Sequence, residues 1–235
     1  MPSVSESARI AQIHYVYQQR PNKERADKIA KRKLGRIGYE LDSMNTTKDV
    51  MTAKKGDNIH INYTGTDVNN PRDILSDAAL AVGLQSKNKQ FSDRRKKTRD
   101  IMRQYGDDKD YSMSGHSLGG SIALNTMKES KSIRQRVKTV HAFNPGYTKP
   151  FHESLKVDKE TKKELDKKWE TIEKRLEKEN ESDYKLAIIE ADNLFDDFLI
   201  KMGYKGEDMG ERLKQITKNQ LVSIDEVWQA HKIRN

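Results

Sequence analysis

The segment Gly115-His116-Ser117-Leu118-Gly119-Gly120 holds the residues best suited to do chemistry in this chain. Its spacing, G-x-S-x-G, is that of a turn lifting a serine from the end of a β-strand onto the start of a helix. The serine of such a turn has a strained backbone. A side chain at either flanking glycine would collide with the neighbouring strand or helix. The N–H of the next residue, Leu118, would then point at a reacting oxygen, helped by the helix N-terminus. The chemistry implied is nucleophilic attack by Ser117. The competing reading is a plain glycine-rich turn, and the flanking elements decide between the two.

Those flanks read as strand and then helix. Asp110–Ser114 alternates enough for a short strand, and Ser121–Met127 places Ile122, Ala123 and Met127 on one helical face. Upstream, residues 5–17 form an amphipathic helix pattern ending near Pro21, and 23–34 a second one. A weak strand is expected around Gly38–Leu41. A hairpin follows, from Val50–Ala53 through the turn Lys54-Lys55-Gly56-Asp57 to Asn58–Tyr63. Within it Ile59, Ile61 and Tyr63 alternate with His60 and Asn62, which predicts one drier face. Pro71 to about Leu84 reads as helix, and Arg136–Phe143 as a further parallel strand.

In the Lys- and Glu-packed stretch 151–184, Leu165, Trp169, Ile172 and Leu176 recur at helical spacing. They predict one amphipathic helix, over about 158–180, with a narrow apolar stripe. Lys185-Leu186-Ala187-Ile188-Ile189 is a continuous apolar run that suits a buried parallel strand. The expected class is therefore α/β, a mostly parallel sheet flanked by helices, in one domain over residues 1–235 with 151–184 as a charged helical insertion.

Composition bounds the partners. Hydrophobic residues make up 34% of the chain and the net charge is +9. With no cysteine, disulfides, thiol catalysis and Cys-based metal sites are excluded. The basic excess concentrates in Lys23–Arg36 and in Arg94-Arg95-Lys96-Lys97 with Arg99 and Arg103. These runs read as solvated helix faces or as attraction to an anionic membrane surface. No aromatic interleaving or nucleic-acid motif accompanies them, which argues against nucleic acid. No secretory leader or membrane span is evident, so a cytoplasmic location is the default, with a virion-associated or lysis-released protein as the alternative.

A strand running into Tyr63-Thr64-Gly65-Thr66, an apolar helical segment, and then G-H-S-L-G-G together resemble the class 3 lipase family of α/β-hydrolases. The resemblance covers residues 5 to 235, with 151–184 as an insertion. It implies that Thr66, after the glycine, lends its N–H to an oxyanion hole alongside Leu118, and that a lid lies in 67–90, beginning near Asp73–Asp77. The family usually has an arginine where Thr64 stands. The acid of its triad follows at the end of a later strand, where Asp192 fits the pattern and Asp196 and Asp197 are rivals. The base comes last in chain order, and only His231 lies beyond Asp192. Trp228–Asn235 resembles the family's terminal Ala-His stretch. His60 and His141 read as packing or surface residues, His116 as structural, and His152 as solvated.

The implied activity is that of a serine lipase or esterase acting on acylglycerol or phospholipid esters, of phospholipase A1 type among others, through Ser117, Asp192 and His231 and an acyl-enzyme. That triad needs no metal or cofactor. The alternative is a catalytically silent hydrolase fold that binds an anionic partner, membrane or nucleic acid, through its basic surface. Peptidase or acyltransferase chemistry on the same residues stays open.

Overall fold

A computed structural model describes residues 1–67, 73, 76, 88–145, 159–178, 180–217, 221 and 224–234. The chain falls into two units, Met1–Gly65 with Phe91–Pro145, and Thr66–Gln90 with Gly146–Asn235.

The first unit is built on a five-stranded sheet of order β1-β2-β3-β4-β5, with β1 Glu40–Leu41, β2 Val50–Lys55, β3 Asn58–Tyr63, β4 Asp110–His116 and β5 Val137–Phe143. The pairs β1/β2 and β2/β3 are antiparallel, whereas β3/β4 and β4/β5 are parallel. The sheet is therefore mixed rather than mostly parallel. The physical reason lies in the β2–β3 turn. Lys55 pairs directly with Asn58, so only Gly56 and Asp57 connect the strands, and Gly56 has φ +56. A two-residue connection can join only antiparallel neighbours.

Helices α1 (Val4–Gln18) and α2 (Lys23–Gly35) precede the sheet. Ser3 and Glu6 close a capping box on α1, and the Asn22 side chain caps α2. Ile10, Ile13 and Tyr17 of α1 pack with Ala26, Ala30 and Leu34 of α2 against Tyr39, Leu41, Met51 and Ala53.

The alternation of β3 and β4 separates two kinds of contact. Ile59, Ile61, Tyr63, Tyr111 and Met113 are fully buried. On their face lies α3 (Lys89–Tyr105), with the Tyr63 hydroxyl 2.6 Å from Thr98 Oγ1 and the Tyr111 hydroxyl donating to the Met102 carbonyl. The intervening positions are polar and just as dry. His60 contacts Ser112 and Ser114, Ser114 donates to Asn62, and Asn62 reaches His14 of α1. His141 of β5 meets Ser7 at 2.8 Å. Ser7, His14 and Gln18 form a polar stripe along α1 (i, i+7, i+11) that matches this polar face. The face expected to be wetter is thus covered, and its polar groups bond one another.

In the second unit the described elements are helices: α6 Lys159–Leu176, α7 Glu181–Lys201, α8 Met209–Leu213 and α9 Ile224–Arg234; α4 (Leu118–Glu129) and α5 (Lys131–Arg136) belong to the first unit. The apolar stripe read at Leu165, Trp169, Ile172 and Leu176 is buried as expected, against Ala187, Ala191, Leu194, Phe195 and Phe198. Lys185–Ile189 is not a strand; it lies inside α7. Asn180 caps that helix and Glu181 and Asp183 sit in its first turn, where the macrodipole favours acids. The buried positions 187, 188, 191, 194, 195, 198 and 199 keep a helical period, and no glycine or proline interrupts them. A short apolar run fits strand and helix alike, and here the longer pattern wins.

Of the segment 67–90 read as a lid and the helix read over 71–84, Asp67, Asp73, Ser76 and 88–90 are described; the rest, like His152, lies outside the described residues. Among the described residues no helix is long and apolar enough to cross a membrane.

Candidate active site

β4 ends at His116 and α4 (Leu118–Glu129) begins two residues later. Between them Ser117 has φ 53 and ψ −124. It is one of two non-glycine residues with positive φ among those described, the other being Asn144 after β5. A side chain pays for that backbone in strain, which the surrounding structure must impose. The constraint comes from both sides. The Ser117 N–H donates to the Phe143 carbonyl at 2.9 Å, and its carbonyl accepts from Ser121 N–H at 3.1 Å.

The glycines show why the sequence has them. A Cβ on Gly115 would overlap the backbone of Gly119, and one on Gly119 would overlap the carbonyls of Tyr63 and Thr64. The first turn of α4 therefore lies directly on the ends of β3 and β4. No side chain caps α4. Its first N–H groups, Leu118 among them, have no carbonyl of their own helix to bond. The Leu118 side chain is fully buried, which fixes that peptide in place. A helix start of this kind favours a nearby negative charge.

The Thr64-Gly65 loop after β3 is tied down by groups the sequence did not announce. Thr64 Oγ1 donates to the Lys48 carbonyl at 2.9 Å. Arg94 of α3 reaches the Thr64 carbonyl at 3.3 Å and the Asp49 carboxylate at 3.2 Å. Gln18 of α1 donates to the Gly65 carbonyl at 3.3 Å. A Cβ on Gly65 would stand 3.0 Å from the His116 carbonyl and 3.6 Å from Ser117 Cβ, so this loop lies beside the serine. The run Arg94–Lys97 reads from sequence as a solvated helix face or an anion-attracting one, yet the Arg94 side chain is only 4% exposed. The signal that would have found it is its place on the buried stripe Phe91, Arg94, Thr98, Ile101.

In the second unit, Asp192 and His231 meet. His231 Nδ1 lies 3.1 Å from each oxygen of the Asp192 carboxylate, whose side chain is 3% exposed. This contact puts the imidazole proton on Nδ1 and leaves Nε2 as the basic nitrogen. The Trp228 ring meets the imidazole edge-on at 6.0 Å between centroids. Asp192 lies in the middle of α7, not at the end of a strand, so it reaches the histidine from a helix that packs against α9. The rivals are engaged elsewhere. Arg212 forks onto both oxygens of Asp196 at 2.6 and 2.7 Å, and Lys168 holds Asp197 at 3.1 Å.

Thr66 is buried in this second unit, and the next N–H, that of Asp67, donates to the Asp73 carboxylate at 2.8 Å. Ser117 and Leu118 belong to the first unit. Of the remaining histidines, His60 is fully buried and His141 partly, both as packing residues, and His116 is exposed. Among the described residues no cluster of three His, Cys, Asp or Glu could hold a metal ion. Compared with protein-family models, curated proteins and solved structures, the chain matches none.

Proposed function

We propose that this protein is a serine-dependent hydrolase of carboxylic esters on an α/β-hydrolase arrangement, with lipid esters (acylglycerols or phospholipids) as its substrate class. The observation that carries the reading is the backbone of Ser117, held at φ 53 between a strand and a helix by glycines that admit no side chain. That strain is costly in a plain turn and useful in a nucleophile elbow, where it sets Oγ clear of its own backbone. The Asp192–His231 pair supports it, because an oriented, carboxylate-held imidazole is what a serine needs as a base.

In this reading His231 Nε2 takes the Ser117 proton as Oγ attacks the ester carbonyl. Asp192 stabilises the imidazolium, and the N–H groups of Leu118 and Thr66 hold the oxyanion. The alcohol leaves with the proton from His231. Water then enters by the same steps in reverse order and releases the acid from Ser117.

The test is turnover of p-nitrophenyl esters from two to sixteen carbons by the wild type and Ser117→Ala, with fluorophosphonate labelling alongside. Turnover and labelling that both vanish in the variant are expected. A wild type inert to the ester series and to the probe, or an equally active Ser117→Ala, overturns the reading.

A further inference from the structure

The net charge of the chain is not spread evenly. Across residues 23–36 seven cations face two acids, a net +5 out of +9. On α2, Arg25, Lys28 and Arg32 recur at i, i+3 and i+7, Arg36 follows at i+11 as the C-cap, and Lys31 flanks them. All five are exposed. The opposite face of the helix buries Ala26, Ala30 and Leu34. Asp27 is taken up by Lys23 and the Tyr17 hydroxyl, and Glu24 is the other acid of the helix. Among the described residues no acid pairs with any of the five cations.

The second basic run is different. Arg94 is buried on Asp49 and Thr64 and Arg103 pairs with Asp100, while Arg95 and Lys97 bond the neutral amide oxygens of Asn125 and Asn45 and Lys96 stands exposed, so this run forms no continuous row of unpaired charge. Elsewhere in the same unit Lys55 pairs with Glu6, Lys109 with Asp57 and Arg136 with Asp107. Five cations without an acid partner among the described residues thus share one helix face, about 16 Å long at 1.5 Å per residue.

We infer that this face of α2 docks the protein on an anionic phospholipid surface. The charge pattern calls for phosphodiesters. The face offers no aromatic to stack on a base and no Asn or Gln to read one. It also has no large exposed apolar residue, so it rests at the headgroups without inserting, and attraction depends on charge and on salt. The choice of lipid over nucleic acid rests on the ester-hydrolase reading, since a lipid ester is found at such a surface.

The test is co-sedimentation of the full chain with vesicles of phosphatidylglycerol and phosphatidylcholine, against phosphatidylcholine alone, at 0.1 and 0.5 M NaCl. The variants are Lys28→Glu/Arg32→Glu and, as a control of equal charge change, Lys163→Glu/Lys167→Glu on the exposed side of α6. Binding to the anionic vesicles only, reversed by salt and weakened at least tenfold by the α2 pair but not by the control, supports the inference. No binding at 0.1 M salt, or equal loss in both pairs, overturns it. Tighter binding of a short DNA duplex through the same face reassigns the surface to nucleic acid and also overturns it. Hydrolysis of a soluble p-nitrophenyl ester, followed in parallel, reports the catalytic reading by itself. Unchanged turnover with absent vesicle binding sinks only the docking face, and the converse sinks only the chemistry.

Discussion

The Gln18 carboxamide donates to the Gly65 carbonyl at 3.3 Å, and Gly65 lies against the His116 carbonyl next to Ser117. Because the peptide unit is planar and trans, the carbonyl of Gly65 and the N–H of Thr66 point in opposite directions from one plane. Holding the oxygen therefore sets the direction of the N–H. Gln18 is 4% exposed and ends the polar stripe of α1, so the first helix of the chain orients the peptide that leaves β3, the one that carries the proposed oxyanion donor.

Gln18→Leu is accordingly expected to lower kcat by about 10- to 100-fold, because a donor aimed slightly wrong loses stabilisation of the transition state. KM for a small ester should stay within about twofold, since uniform binding is untouched. A residue that merely supports folding would lower the fraction of active protein without this split. Steady-state kinetics normalised to fluorophosphonate-titrated sites distinguish the two.

Two glycines should respond in opposite ways to the same substitution. Gly119→Ala drives a methyl group into the Tyr63 and Thr64 carbonyls, with no flexible side chain to give way. The expected loss is on the order of 3 kcal/mol or more. Gly35, at the end of α2, has nothing within 4 Å of an added Cβ. Gly35→Ala should stabilise by about 0.5–1 kcal/mol through helix propensity. Urea midpoints of the two variants against wild type check both signs at once.

The elbow was legible because its spacing is short: Gly115 must clear Gly119 four residues on, although Gly119 itself is required by the Tyr63 and Thr64 carbonyls of another strand. The stripe Leu165, Trp169, Ile172, Leu176 was legible for a similar reason, its period being written in one helix. The nature of Lys185–Ile189 was not, since four apolar residues in a row carry no period and the decision came from Phe195 and Phe198 further along. Asp192 is accordingly seated inside α7 and not at the end of a strand. The roles of Gln18, Arg94 and the polar layer of His14, His60, Asn62, Ser112 and Ser114 were hidden because each depends on a partner from another element. A sequence shows such residues as polar and leaves their burial to topology.

The polar layer has a consequence for acid stability. His14 and His60 are wholly buried, and loss of solvation pushes both from 6.5 down to about 3. Arg94 adds to the depression of His14, while His141 lowers and Glu6 raises His60. His14 Nε2 contacts the Thr47 carbonyl and its Nδ1 the Asn62 amide, which suits the neutral ring. The unfolded chain takes up protons near pH 6.5 where the folded chain does not. Stability is thus full above 6.5 and falls as pH drops toward 3, by up to about 1.4 kcal/mol per pH unit for each ring. Glu6, lowered to about 2 chiefly by its bond to Lys55, adds a loss only below 4.5. Urea midpoints between pH 7 and 5 isolate the histidines, and a flat profile there would contradict the buried neutral pair.

Asp192 and Asp196 lie one helical turn apart on α7 and divide two tasks that mutation can separate. Asp192 holds His231, while Asp196 is forked by Arg212, whose side chain is 8% exposed. Asp192→Asn keeps the shape but offers an N–H or a weaker acceptor to Nδ1, so the imidazole loses its fixed tautomer. Turnover should fall by about four orders of magnitude with little change in stability. Asp196→Asn removes the carboxylate that Arg212 forks and should lower the denaturation midpoint, while molecules that remain folded keep their turnover. Paired measurements of denaturation midpoint and site-normalised kcat test the division. If Asp196→Asn abolished turnover and Asp192→Asn spared it, the carboxylate serving His231 would have to be reassigned, and with it the proton path from Ser117.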